Sequence, residues 1–358
     1  MKKKKILPIL LAILILFSTG CTKYLSDSNN KRVTNKTTGQ TVTSNILCLP
    51  EDEDNIKLYK KYQDNLEVNY KKLNKCEEFS PTDLKYQGLW ESLFVKPLAW
   101  LIIKIGILVK NYGLSVMIIG IIIRLVLIPF TKKTLLQSEQ MKKAQPEIEK
   151  LQRKYGKSPS QEDSARMSQE MMMIYKKYNI SPLSGCLTSF IQLPILFAFL
   201  EAINRVPVIF EGSFLTLQLG TTPLYGIRGG NYLYLVLILL IIGTTYLSFK
   251  NAGTMSMGGN SDQEKQSAMM MKFMIVFISI ASLSLPTALA LYWIVSNAFM
   301  IVQNLILKKK KSEDDKIFIK QKGNKSKNDK ITRTKNKQEE KIKNAKVIET
   351  KPKRSAKK

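Results

Sequence analysis

Arg124 stands in GIIIRLVLIPF, inside an apolar run at 112–130 and about seven residues, or 10 Å, from the end where basic residues resume. A charge at that depth in hydrocarbon costs on the order of 3 kcal/mol, so the guanidinium is expected to face protein or a water-filled cavity. The alternative is that its long stem snorkels to the headgroups. Hydrogen-bonding side chains recur in the later apolar runs. Thr188 and Gln192 are four apart, on one helical face. Thr244, Thr245 and Ser248 sit together near the end of the next run, and Ser279 with Ser282 on the one after it. On the last run Asn297 and Asn304 share a stripe with Trp293 and Met300. Taken singly, such groups bond to their own helix or join helices. Their coincidence with Arg124 at one depth points instead to a hydrated groove closed by apolar packing at the other end. A groove with one cation and several donors can hold a dehydrating, neutral-to-acidic stretch of polypeptide. It is not a cation path or a proton relay, which would need Asp, Glu or His. There is no His in the chain, which excludes Ser-His-Asp and Cys-His catalysis and imidazole metal ligation. Cys21, Cys48, Cys76 and Cys186 never fall in a CxxC spacing, so a zinc or thioredoxin-like motif is absent. Neither cofactor nor metal is expected.

The elements that must carry these residues are membrane-length helices. Apolar runs occupy 92–109, 112–130, 183–203, 231–249, 271–285 and 287–307. The first is broken by Lys96, Pro97 and Lys104 and carries Trp100, so residues 89–110 read as an amphipathic helix lying in the interface. The other five are long enough to cross a core of roughly 30 Å, the shortest only with little tilt. Runs 271–285 and 287–307 are either one long helix or two spans; Pro286 and their combined length favour two. The fold class expected is all-α and polytopic, five transmembrane helices around a groove open to the cytoplasm. Residues 131–180 read as a cytoplasmic helical hairpin, QSEQMKKAQPEIEKLQRKYG and SARMSQEMMMIYKKYN, broken at Gly156-Lys157-Ser158-Pro159. Met171, Met172 and Met173 are either an adaptable contact surface or packing between the two hairpin helices.

Charge fixes the orientation. The net charge is +28, and the polar segments carry it unevenly. Segments 131–180 and 308–358 are strongly basic, whereas 204–230 holds only Arg205 and Arg228 against Glu211. Basic loops stay on the cytoplasmic side, which places 131–180, 250–270 and the tail inside and 204–230 outside. Residues 1–20 have the basic, apolar and small-residue order of a signal peptide, and Ser18-Thr19-Gly20-Cys21 resembles a bacterial lipobox, with Ser18 where Leu is usual. Lipidation of Cys21 is expected, an uncleaved anchor being the alternative. Segment 21–88 is polar, charge-balanced and expected to be loosely ordered outside the cell; Cys48 and Cys76 either pair there or are unrelated. The Lys-rich tail 308–358 is expected to be disordered and to bind RNA or anionic lipid, or else to be merely solvated.

Three stretches in order, RLVLIPFTKKTLLQSEQMKKAQPEIEKLQRKYG, NISPLSGCLTSFIQLPILFAF and PTALALYWIVSNAFMIVQ, resemble the YidC-type membrane protein insertases, relatives of the mitochondrial Oxa and chloroplast Alb proteins. The likeness covers about residues 89–307, in the five-span form of the Gram-positive branch. It implies that Arg124 is the groove arginine of that family and that Trp293 is its aromatic on the last span. Where many members place Gln, in a TTYxQ-like stretch, this chain has Ser248. The resemblance implies an insertase without covalent chemistry. Nascent membrane proteins would be its substrates, the ribosome would dock through the basic tail, and the Sec translocon and anionic lipids would be further partners. A small-anion or lipid transporter using Arg124 as its binding cation is the competing reading, and a lipoprotein assembly scaffold a third.

Overall fold

The computed structural model describes residues 22–83, 86, 88–156, 160–181, 184–252, 262–307 and 309. The fold is helical. A short α1 (Glu53–Lys61) lies in the N-terminal unit and is followed by α2 (Lys96–Val109), α3 (Tyr112–Val126), α4 (Ile128–Tyr155), α5 (Gln161–Lys177) and α6 (Ser184–Arg205). A connecting segment then holds α7 (Pro207–Phe210), the antiparallel strands β1 (Ser213–Phe214) and β2 (Leu217–Gln218), and α8 (Pro223–Arg228). The chain returns through α9 (Leu233–Ala252), α10 (Asp262–Ser284) and α11 (Thr287–Leu307).

Among the described residues, three helices are long and apolar enough to cross a membrane: Glu91–Val109, Leu233–Lys250 and Thr287–Leu307. The bent pair α3–α4 makes a fourth if it counts as one span, and α10 adds a shorter apolar stretch, Lys272–Ser284. Length and composition alone therefore admit the α2 segment as a span, although its lysines favour the interface. The break between Ser284 and Thr287 excludes a single long helix over α10 and α11.

Local chemistry accounts for the corners. Between α2 and α3 only two residues intervene. Lys110 takes a left-handed φ of 54°, and the Asn111 side chain accepts from the Leu114 N–H to cap α3. A Cβ on Gly106 would sit 2.2 Å from the Tyr112 ring, so the close approach requires glycine. Ser115 closes the pair by donating to the Ile102 carbonyl. At the other end of α3 the axis bends by 61° after Val126. Pro129 has no N–H to continue the ladder and its ring crowds the preceding turn, so the straight helix ends there.

Helices α4 and α5 form an antiparallel hairpin. Gly156, at φ 71°, ends α4, and Ser160 Oγ accepts from the Asp163 N–H to start α5. Lys154 pairs with Glu170 at 2.5 Å and Lys177 pairs with Glu147, two ladder rungs that fix the register. Ala144, Ile148 and Ile180 form its small core, with Met171 and Ile174 against it. Met171 thus packs inward, while Met172 and Met173 are 50% and 61% exposed. Packing between the hairpin helices accounts for Met171 alone among the three.

Residues 22–83 are folded, which corrects the expectation of loose order there. Isolated bridges join Tyr24 to Thr43, Ser26 to Arg32 and Thr34 to Thr41. Leu25, Val33, Val42, Ile46, Tyr59, Val68 and Leu73 gather into a core that Phe210 of α7 completes. Cys48 and Cys76 are disulfide-bonded, with Cα atoms 4.9 Å apart. The order comes from far along the chain: Thr43 donates to the Asn204 carbonyl, the Leu47 N–H donates to the Arg205 carbonyl, and Glu211 accepts from the N–H groups of Glu51 and Asp52.

The main core draws Val116 and Ile119 from α3, Phe199 and Ile203 from α6, Leu237 and Ile241 from α9, and Leu289 and Tyr292 from α11. All lie toward the helix ends that meet the connecting segment 206–232. The opposite halves carry Arg124, Gln192, Thr245, Ser296 and Asn297.

Candidate functional site

Arg124 lies in the last turn of α3 and is only 6% exposed. Its Nε–H donates to Ser296 Oγ on α11 at 2.5 Å. One turn earlier on α11, Tyr292 occupies the junction of three helices. Its hydroxyl accepts from Gln192 Nε2 of α6 at 3.0 Å, its ring stacks on Phe199 at 4.2 Å, and its other side abuts Gly120 of α3. Two turns beyond Ser296, Gln303 donates through Nε2 to Thr131 Oγ1 at 2.7 Å. Arg124 and Thr131 are seven apart, as are Ser296 and Gln303. The chain through α3 and the start of α4 therefore follows α11 in the same direction, with one contact on each side of the bend.

The next stripe of α11 faces α9. Asn297 Nδ2 donates to Thr245 Oγ1 at 2.9 Å, and Thr245 and Ser248 are both buried. Ser248 and Thr244 turn their hydroxyls back to carbonyls of their own helix, at Thr245 and Leu240. Ser279 and Ser282 of α10 do the same, toward Ile275 and Ser279. At 1.5 Å per residue, Arg124, Gln192, Thr245, Ser296 and Asn297 all lie about 14 to 20 Å from the connecting-segment ends of their helices. The structure thus brings Arg124, Gln192, Thr245 and Asn297 to one level around α11. Trp293 is half-buried against the main core. Thr188 falls on α6, but its side chain lies outside the described residues, as do Cys21 and nearly all of the tail.

Tyr292 and Ser296 are the residues that sequence reasoning missed. They are four apart in YWIVS, one position earlier than the stripe of Trp293 and Asn297. The available signal was their shared face with Gln303.

A second buried cluster gathers charged side chains at the connecting-segment end of α6. Arg205, at the end of α6, pairs with Glu91 at 2.9 Å and Glu201 at 3.4 Å, and its Nε–H donates to the Asn45 carbonyl. The Trp90 indole N–H donates to Glu201 at 2.8 Å. Glu91 and Glu201 are therefore engaged at the far end of the bundle, and among the described residues no ion pair involves Arg124. Among them there is also no group of three metal-ligating side chains.

These observations define a class: a helical protein with three or four candidate membrane spans among its described residues, which bring a guanidinium and amides to one level along the helices. A model of the family described as "60Kd inner membrane protein" matches residues 104–315. Membrane protein insertase YidC 2 of Bacillus anthracis is 37% identical over 235 residues, covering 65% of this chain and 87% of that one. Membrane protein insertase MisCA of Bacillus subtilis (strain 168) is 37% identical over 220 residues, 61% of this chain and 79% of the other. Among solved structures, an active YidC insertase with its first transmembrane domain resolved superposes with a TM-score of 0.46 at 23% identity, covering 70% of this chain and 50% of that one. The chain belongs to the 60Kd inner membrane protein family.

Proposed function

We propose that this protein is a membrane protein insertase that guides nascent hydrophobic segments into the bilayer by lowering the cost of dehydrating their polar flanks. A hydrophilic loop entering hydrocarbon loses several kcal/mol for each polar group left without a partner. Gln192, Thr245, Asn297 and Arg124 offer partners at mid-depth, in a groove open to the cytoplasm. Trp293, Thr244 and Ser248 extend its lining, and Thr188, whose side chain lies outside the described residues, is assigned to it from the sequence alone. Apolar helices of the substrate then leave sideways into lipid. The observation that carries this reading is that, among the described residues, buried Arg124 has no acidic partner, so its charge is available to a substrate carboxylate.

The topology that fits this role has five spans, on α3, α6, α9, α10 and α11. The hairpin α4–α5 and the basic tail lie in the cytoplasm, and the N-terminal unit lies outside, anchored by lipid on Cys21. Helix α2 rests in the interface beneath that unit. Lys96 and Lys104 support this, since they donate to the carbonyls of Asp83 and Glu77 from positions about 12 Å apart along α2. A helix that followed the membrane normal would carry one of them away from the N-terminal unit. The tail, with twenty-one basic residues against seven acidic ones, is suited to ribosomal RNA and anionic headgroups, and the Sec translocon is a further partner.

The test is depletion of the protein followed by pulse-labelling of small membrane proteins, with complementation by variants. Arg124→Ala should impair insertion of substrates with acidic translocated segments, and Arg124→Lys should retain much of the activity because the charge remains. Normal insertion by the alanine variant would overturn the groove mechanism. Solute flux in vesicles holding the protein alone would favour the transporter instead.

A further inference from the structure

We infer that Ser296 is a positioning residue that selects which edge of the Arg124 guanidinium meets the substrate. The inference rests on the reading of Arg124 as the substrate-facing charge. Four other hydroxyls on the spans, those of Thr244, Ser248, Ser279 and Ser282, donate to carbonyls of their own helices. The Ser296 oxygen instead accepts from Arg124 Nε across the interface, and Ser296 is 1% exposed, so water does not compete for that site. A guanidinium has two edges able to hold a carboxylate with paired hydrogen bonds, one formed by Nε and one Nη, the other by the two Nη groups. With Nε occupied by Ser296, only the terminal edge remains. Tyr292, one turn away on the same face and wedged between Phe199 and Gly120, fixes α11 against α3 at this level. The arrangement therefore presents Arg124 end-on, in the orientation that receives one Asp or Glu carboxylate of a passing segment in a two-point contact.

The experiment uses the full-length protein in proteoliposomes and two substrates that differ only by Asp or Asn at one translocated position. The readout is the ratio of their insertion. Ser296→Ala should lower the ratio about three- to tenfold, the loss expected for one hydrogen bond of ordinary net strength, and Ser296→Thr, which keeps the hydroxyl, should restore it. In an Arg124→Lys background no donor exists at the Nε position, so Ser296→Ala should produce no further change. An unaltered ratio in Ser296→Ala, or an equal fall in both backgrounds, overturns the positioning role. If Arg124→Ala itself leaves the ratio unchanged, the reading of the site falls; if it lowers the ratio while Ser296→Ala does not, only the positioning role falls.

Discussion

Arg205 and Glu91 form an ion pair at 2.9 Å in which both side chains are almost wholly buried, joining the end of α6 to the turn that leads into α2. Glu201 and the Asn45 carbonyl complete the shell, so the same guanidinium holds the N-terminal unit and the helix bundle together. Two carboxylates would remain in a dry site without it. Arg205→Ala is therefore expected to destabilise the protein by about 3 to 5 kcal/mol, the range for removing one partner of a buried pair. Thermal unfolding of the detergent-purified variant measures this, and a loss under about 1 kcal/mol would mean that water reaches the cluster.

The disulfide closes a loop of 28 residues in the N-terminal unit. Substituting Ser for both Cys48 and Cys76 should cost about 3 kcal/mol by constraint of the unfolded chain. The expected sign is faster protease cleavage within residues 22–83 while the helices stay resistant. Equal cleavage rates would show that the contacts to Asn204 and Arg205 suffice alone.

Glu211 links acidity to the same unit. Its carboxylate accepts from Asn55 Nδ2 as well as from two backbone N–H groups, yet burial dominates and holds its pKa above the ordinary 4.5. A carboxyl raised in this way binds its proton more tightly when folded. Its stabilising contribution is complete below 4.5 and is lost as pH rises through the higher folded value. Protection of residues 22–83 from protease should thus fall on going from about pH 5 to pH 7, and Glu211→Gln should flatten that dependence. Persistence of the full slope in the variant would assign it to another group.

Hydration of the site is directly measurable. In a background lacking the native cysteines, Cys substituted for Gln192, Thr244 or Asn297 should react with a membrane-impermeant maleimide added from the cytoplasmic side. Cys at Leu196 or Ile238, nearer the apolar core, should stay protected. Uniform protection would make these polar residues helix–helix joints and remove the groove.

The tail offers a salt test. Phe318 is the one aromatic residue in 308–358, and its lysines are irregularly spaced, which suits binding through counterion release. Ribosome binding should weaken steeply between about 50 and 200 mM salt, and truncation after Lys311 should weaken it strongly. A truncated chain that still sediments with ribosomes would move the contact to the hairpin.

Much of this arrangement is legible from the sequence because it is local. Pro286 separates α10 from α11, Gly156 ends α4, and the place of Arg124 near the end of its apolar helix follows from counting residues to the nearest charged flank. Two things are not. Order in residues 22–83 depends on Phe210, Asn204 and Arg205, roughly 160 positions away, and composition carries no trace of such partners. The choice between the Tyr292–Ser296 stripe and the Trp293–Asn297 stripe is equally hidden. Adjacent positions on a helix point about 100° apart, both stripes are buried or half-buried, and only the placement of α3 and α9 decides which meets Arg124 and which meets Thr245.

The 61° bend after Val126 falls between two of the contacts to α11, with Arg124–Ser296 on one side and Thr131–Gln303 on the other. Helix α4, about 42 Å long, projects from that point as an arm. Leu127 is then a fulcrum. A sideways push on the tip of the arm loads Thr131–Gln303 first, where the leverage is greatest, and reaches Arg124 only after that joint has given way. A load on the tip of the hairpin would therefore loosen the far end of α11 while Arg124 keeps its station.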